Sequence, residues 1–337
     1  MLAQWRKADR RASIPRDDRK CSRLSPSGLE TVSAGSAGSR GTAFLLLALA
    51  TLFWAGNWVL GRALRDVFEP AALNFWRWLI AVLALAPFAV PRLREHMGAI
   101  RRSAGLLLAL SFFGVALFQW MIYEGLKTTT AVNAVLINSS FPAFMLLCSW
   151  AIERERGTRR QIVGMLISLA GILVIMARGD PASLVRLEFH LGDALILLAM
   201  PVWGVYSVLL KRRPPELDGI AFLFVISLVG TVLILPAFAL EAWHSPPRWP
   251  GPQGVAAALY VGLGASVAAF ICWNRGVAVV GANAAGFTLH LLPAFGTLLA
   301  IVFLGESFRL FHAAGIATIL AGVAVATGAA RLNRAAS

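Results

Sequence analysis

From residue 42 onward the chain is a succession of apolar runs separated by short polar breaks. The runs cover 43–61, 71–90, 105–125, 131–151, 161–177, 193–211, 219–240, 255–275, 282–304 and 310–329. A helix of about 20 apolar residues crosses the hydrocarbon core of a bilayer. The runs are too long for strands and lack strand alternation, and in lipid a helix satisfies its own backbone. The pattern therefore predicts an all-α polytopic membrane protein with ten transmembrane helices. Residues 1–41 break the pattern. They are rich in Arg, Ser and Gly, show no helical apolar period, and read as a disordered basic cytoplasmic tail.

Composition agrees and adds exclusions. Of the 337 residues, 58% are hydrophobic and 14% charged, against roughly 45–50% and 25% for soluble domains. Mean hydropathy is +0.70. A soluble enzyme and a disordered chain are excluded. Cys21, Cys148 and Cys272 form neither a disulfide framework nor a CxxC motif. The net charge of +14 implies no nucleic-acid partner, because positive segments set orientation at the inner leaflet. With the N-terminus inside, 23 of the 31 Lys and Arg fall in inner segments, seven in outer loops, and only Arg77 inside a span. Both termini are expected in the cytoplasm, in the inner (plasma) membrane. Arg10-Arg11 is not followed by an apolar segment, and the run at 43–60 has no small-residue cleavage site, so neither export signal fits.

The chain also repeats itself. At an offset of 151, Pro142-Ala143-Phe144 falls on Pro293-Ala294-Phe295, Glu155 on Glu306, Gly164 on Gly315, and Leu169-Ala170-Gly171 on Leu320-Ala321-Gly322. Across 141–177 there are ten identities in 37 positions, and Gly125 falls on Gly276. Trp54-Ala55-Gly56-Asn57 is echoed by Trp203-Gly204. Each unit holds five spans, an odd number, so the second must enter the membrane from the opposite side. The organisation is then a tail (1–41), a first unit (42–178) and a second unit (192–330). Inverted repeats of this kind build secondary transporters, with a site near the midplane where the units meet.

Ten spans in two such units, a Trp-Gly-like opening and a Pro…Glu…Gly…Ala-Gly ending resemble the EamA family of the drug/metabolite transporter superfamily. The resemblance spans 43–329. It rests on Trp54, Asn57, Pro70, Arg77, Pro142, Glu155, Gly164 and Gly171, then on Gly192-Asp193, Trp203, Pro293, Glu306, Gly315 and Gly322. It implies a carrier of small metabolites, often an exporter, working by alternating access, and it names no substrate.

Candidate site residues follow from polarity inside apolar runs. Arg77 lies seven residues beyond Pro70, about 10 Å along the second span. A charge there must face protein, water or a headgroup. It reads as an anion clamp for a carboxylate or phosphate, or as a structural Arg bonded to neighbouring carbonyls. His290, opposite the Asn138-Ser139 pair in the repeat, reads as a proton or substrate site, or as a neutral His tied to an adjacent helix. Asn57, Asn133, Asn138, Tyr206 and Ser266 divide between cavity lining and interhelical bonds. Trp54 and Trp203 suit either stacking on a flat substrate or packing. Pro142 and Pro293 are expected to free a carbonyl one turn back, for a hinge or a kink. No acid lies at a span centre, so proton coupling, if present, falls to Glu124 or His290; Glu155 and Glu306 read as interfacial anchors. Gly164, Gly171, Gly315 and Gly322 lie seven apart in pairs. They suit close helix approach between the fifth and tenth spans, or in a homodimer.

No metal-binding, Walker or dinucleotide motif is present, and no cofactor is implied. The rival to a carrier of a small amino-acid-like or drug-like molecule is an intramembrane hydrolase using Ser266 and His290, or a non-transporting sensor or assembly subunit. No catalytic residue is expected on the carrier reading.

Overall fold

The computed structural model describes residues 33–64, 67–129, 134, 137–177, 182, 190–246, 249–304 and 309–328. The tail to residue 32, Asn133 and Glu306 lie outside the described residues. Among the described residues thirteen α-helices follow one another: α1 (Ser33–Ala63), α2 (Pro70–Ala89), α3 (Leu93–Arg102), α4 (Ala104–Ser111), α5 (Phe118–Thr128), α6 (Phe141–Glu153), α7 (Arg159–Ala177), α8 (Leu191–Leu209), α9 (Gly219–His244), α10 (Gly251–Leu259), α11 (Ala269–Thr288), α12 (Leu291–Leu304) and α13 (Leu310–Thr327). Among the described residues there is no strand. The first helix begins eight residues before position 41, inside what the sequence reads as tail.

Among the described residues, eight helical stretches are long and apolar enough to cross a membrane. Leu45, Leu83, Phe88, Val232 and Leu320 stand exposed along them, as a lipid-facing surface requires. The chain is a multi-pass membrane protein.

The segments expected as the fourth and ninth spans depart from the ten-helix reading. Each is interrupted, at Ser139-Ser140 and at Leu289-His290, before the short helices α6 and α12. Pro142 and Pro293 sit in the first turn after each break, where a missing N–H costs nothing. They open helices and do not kink them. Gly281 supplies a second bend, because its φ of 82° suits glycine alone.

Two further irregularities are related by the repeat. Between α4 and α5, and between α10 and α11, the helix widens into π geometry over Phe112–Leu117 and Tyr260–Ala268. The first segment maps at the 151-residue offset onto the last six residues of the second.

The glycine pairs close α7 against α13. A Cβ on Gly171 would come within 2.7 Å of the Gly315 carbonyl oxygen and 2.8 Å of the Ile319 nitrogen. Gly164 faces Gly322 and Ala326 in the same way. These faces are thus taken inside one chain, which removes them as the surface for the homodimer that the sequence offers as their alternative use.

The helix ends carry the charge. Glu241, at the end of α9, accepts from the free N–H groups of Ala71 and Ala72 at the start of α2, both at 3.0 Å. Asp218 caps α9 through Ile220 and Ala221 and pairs with His96 at 3.1 Å. Lys127 meets Glu69 at 2.8 Å, and Lys211 meets Glu153 at 2.6 Å and Glu155 at 3.0 Å.

Candidate functional site

α1 sets the site's levels. Thr51, Trp54 and Asn57 recur every three residues on one face, so the three levels span about 9 Å along the axis.

At the Asn57 level lies a buried polar cluster. Arg77 of α2 donates its Nε–H to Ser266 Oγ, and its Nη1 to Gln119 Oε1 and to the Tyr123 hydroxyl, all at 2.8 Å. Tyr123 in turn donates to Asn57 Oδ1 at 2.8 Å. Ser266 donates to the Val261 carbonyl five residues back, a bond that the π segment creates. Every member is buried, and among the described residues no carboxylate pairs with Arg77. The guanidinium is neither in lipid nor at the surface.

At the Trp54 level the centre is filled by rings. Trp54 packs edge-on against Trp203 with centroids 5.2 Å apart, and tilts onto Trp273 at 5.3 Å. Phe270 touches Trp203 at 5.4 Å and Trp78 at 4.9 Å. The Trp54 indole donates across the units to the Ala265 carbonyl at 3.0 Å. Tyr206 tilts on Trp203 and donates to Asn274 Oδ1 at 2.9 Å.

At the Thr51 level the two broken helices meet. Thr51 reaches the Thr288 carbonyl at 3.4 Å. His290 Nε2 lies 2.9 Å from the Ser139 carbonyl oxygen. A carbonyl only accepts, so Nε2 carries a proton. Nδ1 and the Asn138 amide nitrogen are buried without a partner.

The candidate residues therefore fall into two groups. Arg77, Asn57, Ser266, Trp54, Trp203 and Tyr206 form one continuous network; Asn138, Ser139 and His290 form a second at the helix breaks. Glu124 joins neither. It stands half-exposed at the end of α5, 3.8 Å from Lys127. Ser266 is committed to Arg77 and Val261, and His290 to Ser139, so the two are not hydrogen-bonded to each other as a nucleophile and its base must be.

Sequence reasoning missed Gln119, Tyr123, Asn274, Trp78, Phe270 and Trp273. A signal existed for two of them: Gln119 and Tyr123 are four apart, hence on one helix face. It also missed a pairing. Asn57 maps onto Tyr206 at an offset of 149, and Tyr123 onto Asn274 at 151. Both units thus tie their first span to their third by a Tyr–Asn bond, with the two partners exchanged. Equivalent residues also touch each other, Trp54 with Trp203 and Ser139 with His290.

Away from the centre, a cavity of about 1140 Å³ opens where α2 begins and α9 ends, lined among others by Glu69, Trp76, Phe238, Glu241 and Trp249.

Residues 41–177 and 190–328 each match the EamA-like transporter family. An uncharacterized transporter of Archaeoglobus fulgidus is 28% identical over 84% of this chain and 96% of its own length. A probable terminal-alkyne amino-acid exporter of Streptantibioticus cattleyicolor is 27% identical over 77% of this chain and 84% of its own. One crystal structure shares the fold with a TM-score of 0.68 at 22% identity, covering 86% of this chain and 98% of that one.

Proposed function

The chain belongs to the EamA-like transporter family, and from that premise we propose that it moves a small organic metabolite across the inner membrane by alternating access, in the direction of export. Two units of opposite orientation rock about the axis on which they meet. The observation that carries this reading is the contact between equivalent residues, Trp54 with Trp203 and Ser139 with His290. Such contacts occur only where a pseudo-two-fold axis passes. The candidate residues gather around that axis, at the level where a carrier binds its cargo.

Both termini lie in the cytoplasm, as the basic inner segments require. The cargo is small and amino-acid-like or drug-like, and a carboxylate on it suits Arg77. The likeness to an amino-acid exporter supports this. If protons drive transport, His290 at the helix breaks or Glu124 at the rim carries them; otherwise the protein is a facilitator.

Reconstitution tests the proposal. Proteoliposomes holding the full chain and preloaded with a panel of amino acids, organic acids and amines are expected to show saturable, protein-dependent counterflow of at least one solute. Everted vesicles report its direction. No protein-dependent flux of any solute would remove the transporter reading.

A further inference from the structure

Around the aromatic layer, four hydrogen-bond donors are left without an acceptor. Trp78, Trp203 and Trp273 have indole N–H groups with no partner, and so does Nη2 of Arg77. All four side chains are at most 2% exposed. They belong to one contiguous group: the Arg77 guanidinium lies 5.3 Å from the Trp78 ring centre, Trp78 touches Phe270, and Phe270 touches Trp203, which touches Trp273. A buried donor without an acceptor forfeits about 1–3 kcal/mol, and more when it is charged. Four in one group are therefore a demand for acceptor atoms.

The acceptors nearby are already engaged. Ser266, Gln119 and Tyr123 accept from Arg77, Asn57 accepts from Tyr123, Asn274 from Tyr206, and Ala265 from Trp54. What remains is neutral: Asn74 Oδ1 on α2, one turn before Trp78, and the Ser207 hydroxyl on α8, one turn after Trp203. Carboxylates among the described residues stand at helix ends. Even the buried Asp193 is ten residues before Trp203, about 15 Å along α8. An ammonium group in this layer would meet a guanidinium and no negative charge.

The repeat supplies the cation in one unit only. Positions equivalent to Arg77, Gln119 and Ser266 are Ile226, Phe270 and Val115. The polar cluster of one half thus has an apolar mate, and all three of these residues are fully buried.

Resting on the transporter reading, we infer that Arg77 and the aromatic layer form a binding site for a monocarboxylate with a bulky apolar body and no ammonium group. N-acylated amino acids, aryl acids and 2-oxo acids meet that description; free amino acids do not. Arg77 takes the carboxylate, the indole N–H groups take further acceptor atoms, and the Ile226–Phe270 side takes the apolar body as the rings part.

Three probes with one apolar body test it: N-acetyl-L-phenylalanine, L-phenylalanine and phenethylamine. Equilibrium titration of the full chain in nanodiscs at neutral pH is expected to give about 10- to 100-fold tighter binding of the acetylated anion than of the other two, the worth of a charged hydrogen bond. Arg77→Gln is expected to abolish that preference. Trp203→Phe keeps the ring, removes one N–H, and is expected to weaken the anion alone by several-fold. The wild-type series and Trp203→Phe decide the matter even if Arg77→Gln fails to fold. Equal or tighter binding of phenylalanine or phenethylamine overturns the inference. So does a preference that survives Arg77→Gln, or no binding of any probe. Counterflow of other solutes judges the transporter reading separately.

Discussion

Asn57 and Tyr206 hold equivalent places in the two units, as do Tyr123 and Asn274, and each unit makes its bond with donor and acceptor exchanged. The exchange preserves one interaction between first and third spans while letting the surroundings differ. In the first unit the Tyr hydroxyl also accepts from Arg77; the second unit has Ile226 at the equivalent position. Tyr123→Phe leaves Asn57 Oδ1 unpaired and takes an acceptor from the guanidinium. It is expected to cost about 1–3 kcal/mol, measured by melting in detergent. Combined with Asn57→Ala the losses should fall short of additive, because both remove the same bond; full additivity would mean the bond is not formed. Arg77 and Asn57 were legible in the sequence because polar groups inside apolar runs stand out. Gln119 and Tyr123 were not, because they lie in the last turns of the third run beside Glu124 and Lys127, where amphipathic side chains are ordinary. Trp78 and Trp273 were hidden among eleven tryptophans.

At the scale of elements, long apolar runs and the 151-residue offset made the helices and the repeat readable, while the two breaks stayed invisible. A hydropathy pattern records burial, and a broken helix buried in protein is as apolar as a continuous one. What holds the breaks together is tertiary: the His290–Ser139 contact joins them across the two units. Helix caps are the converse case, since they depend on local residues. Asp218 is partly buried, which opposes its charge. Hydrogen bonds from the Ala221 and Ile220 N–H groups and the neighbouring His96 outweigh that and hold the carboxyl below the usual carboxylate range. A folded value below the unfolded one gives stability that is complete above about pH 4 and is lost as pH falls through the lowered folded value. Asp218→Ala is accordingly expected to cost about 1 kcal/mol at neutral pH. The gap in melting temperature between wild type and variant should narrow in acid. A gap that widens in acid would show that the carboxylate is not the stabilising form.

Across the whole molecule, α2 and α9 are equivalent helices that run side by side in opposite directions and are tied at both ends. Glu241 closes one end on Ala71 and Ala72, and Asp218 closes the other on His96 of α3, which follows α2 through a single 3-10 turn. Alternating access by rocking requires that one of these ends part while the other holds. The 1140 Å³ cavity already opens beside the Glu241 end. The aromatic layer lies between the two ties, so a solute held there leaves only when one of them yields. A disulfide at either end should therefore arrest transport without touching the site. In a background with Cys21, Cys148 and Cys272 replaced, the Ala72→Cys/Glu241→Cys pair and the His96→Cys/Asp218→Cys pair are each expected to lose nearly all counterflow on oxidation and regain it on reduction. Binding of the solute should survive in at least one locked form, because each lock leaves the opposite end free. Flux that persists through both oxidised pairs would mean that α2 and α9 never separate, and the two-unit rocking motion would have to be abandoned in favour of a path elsewhere in the bundle.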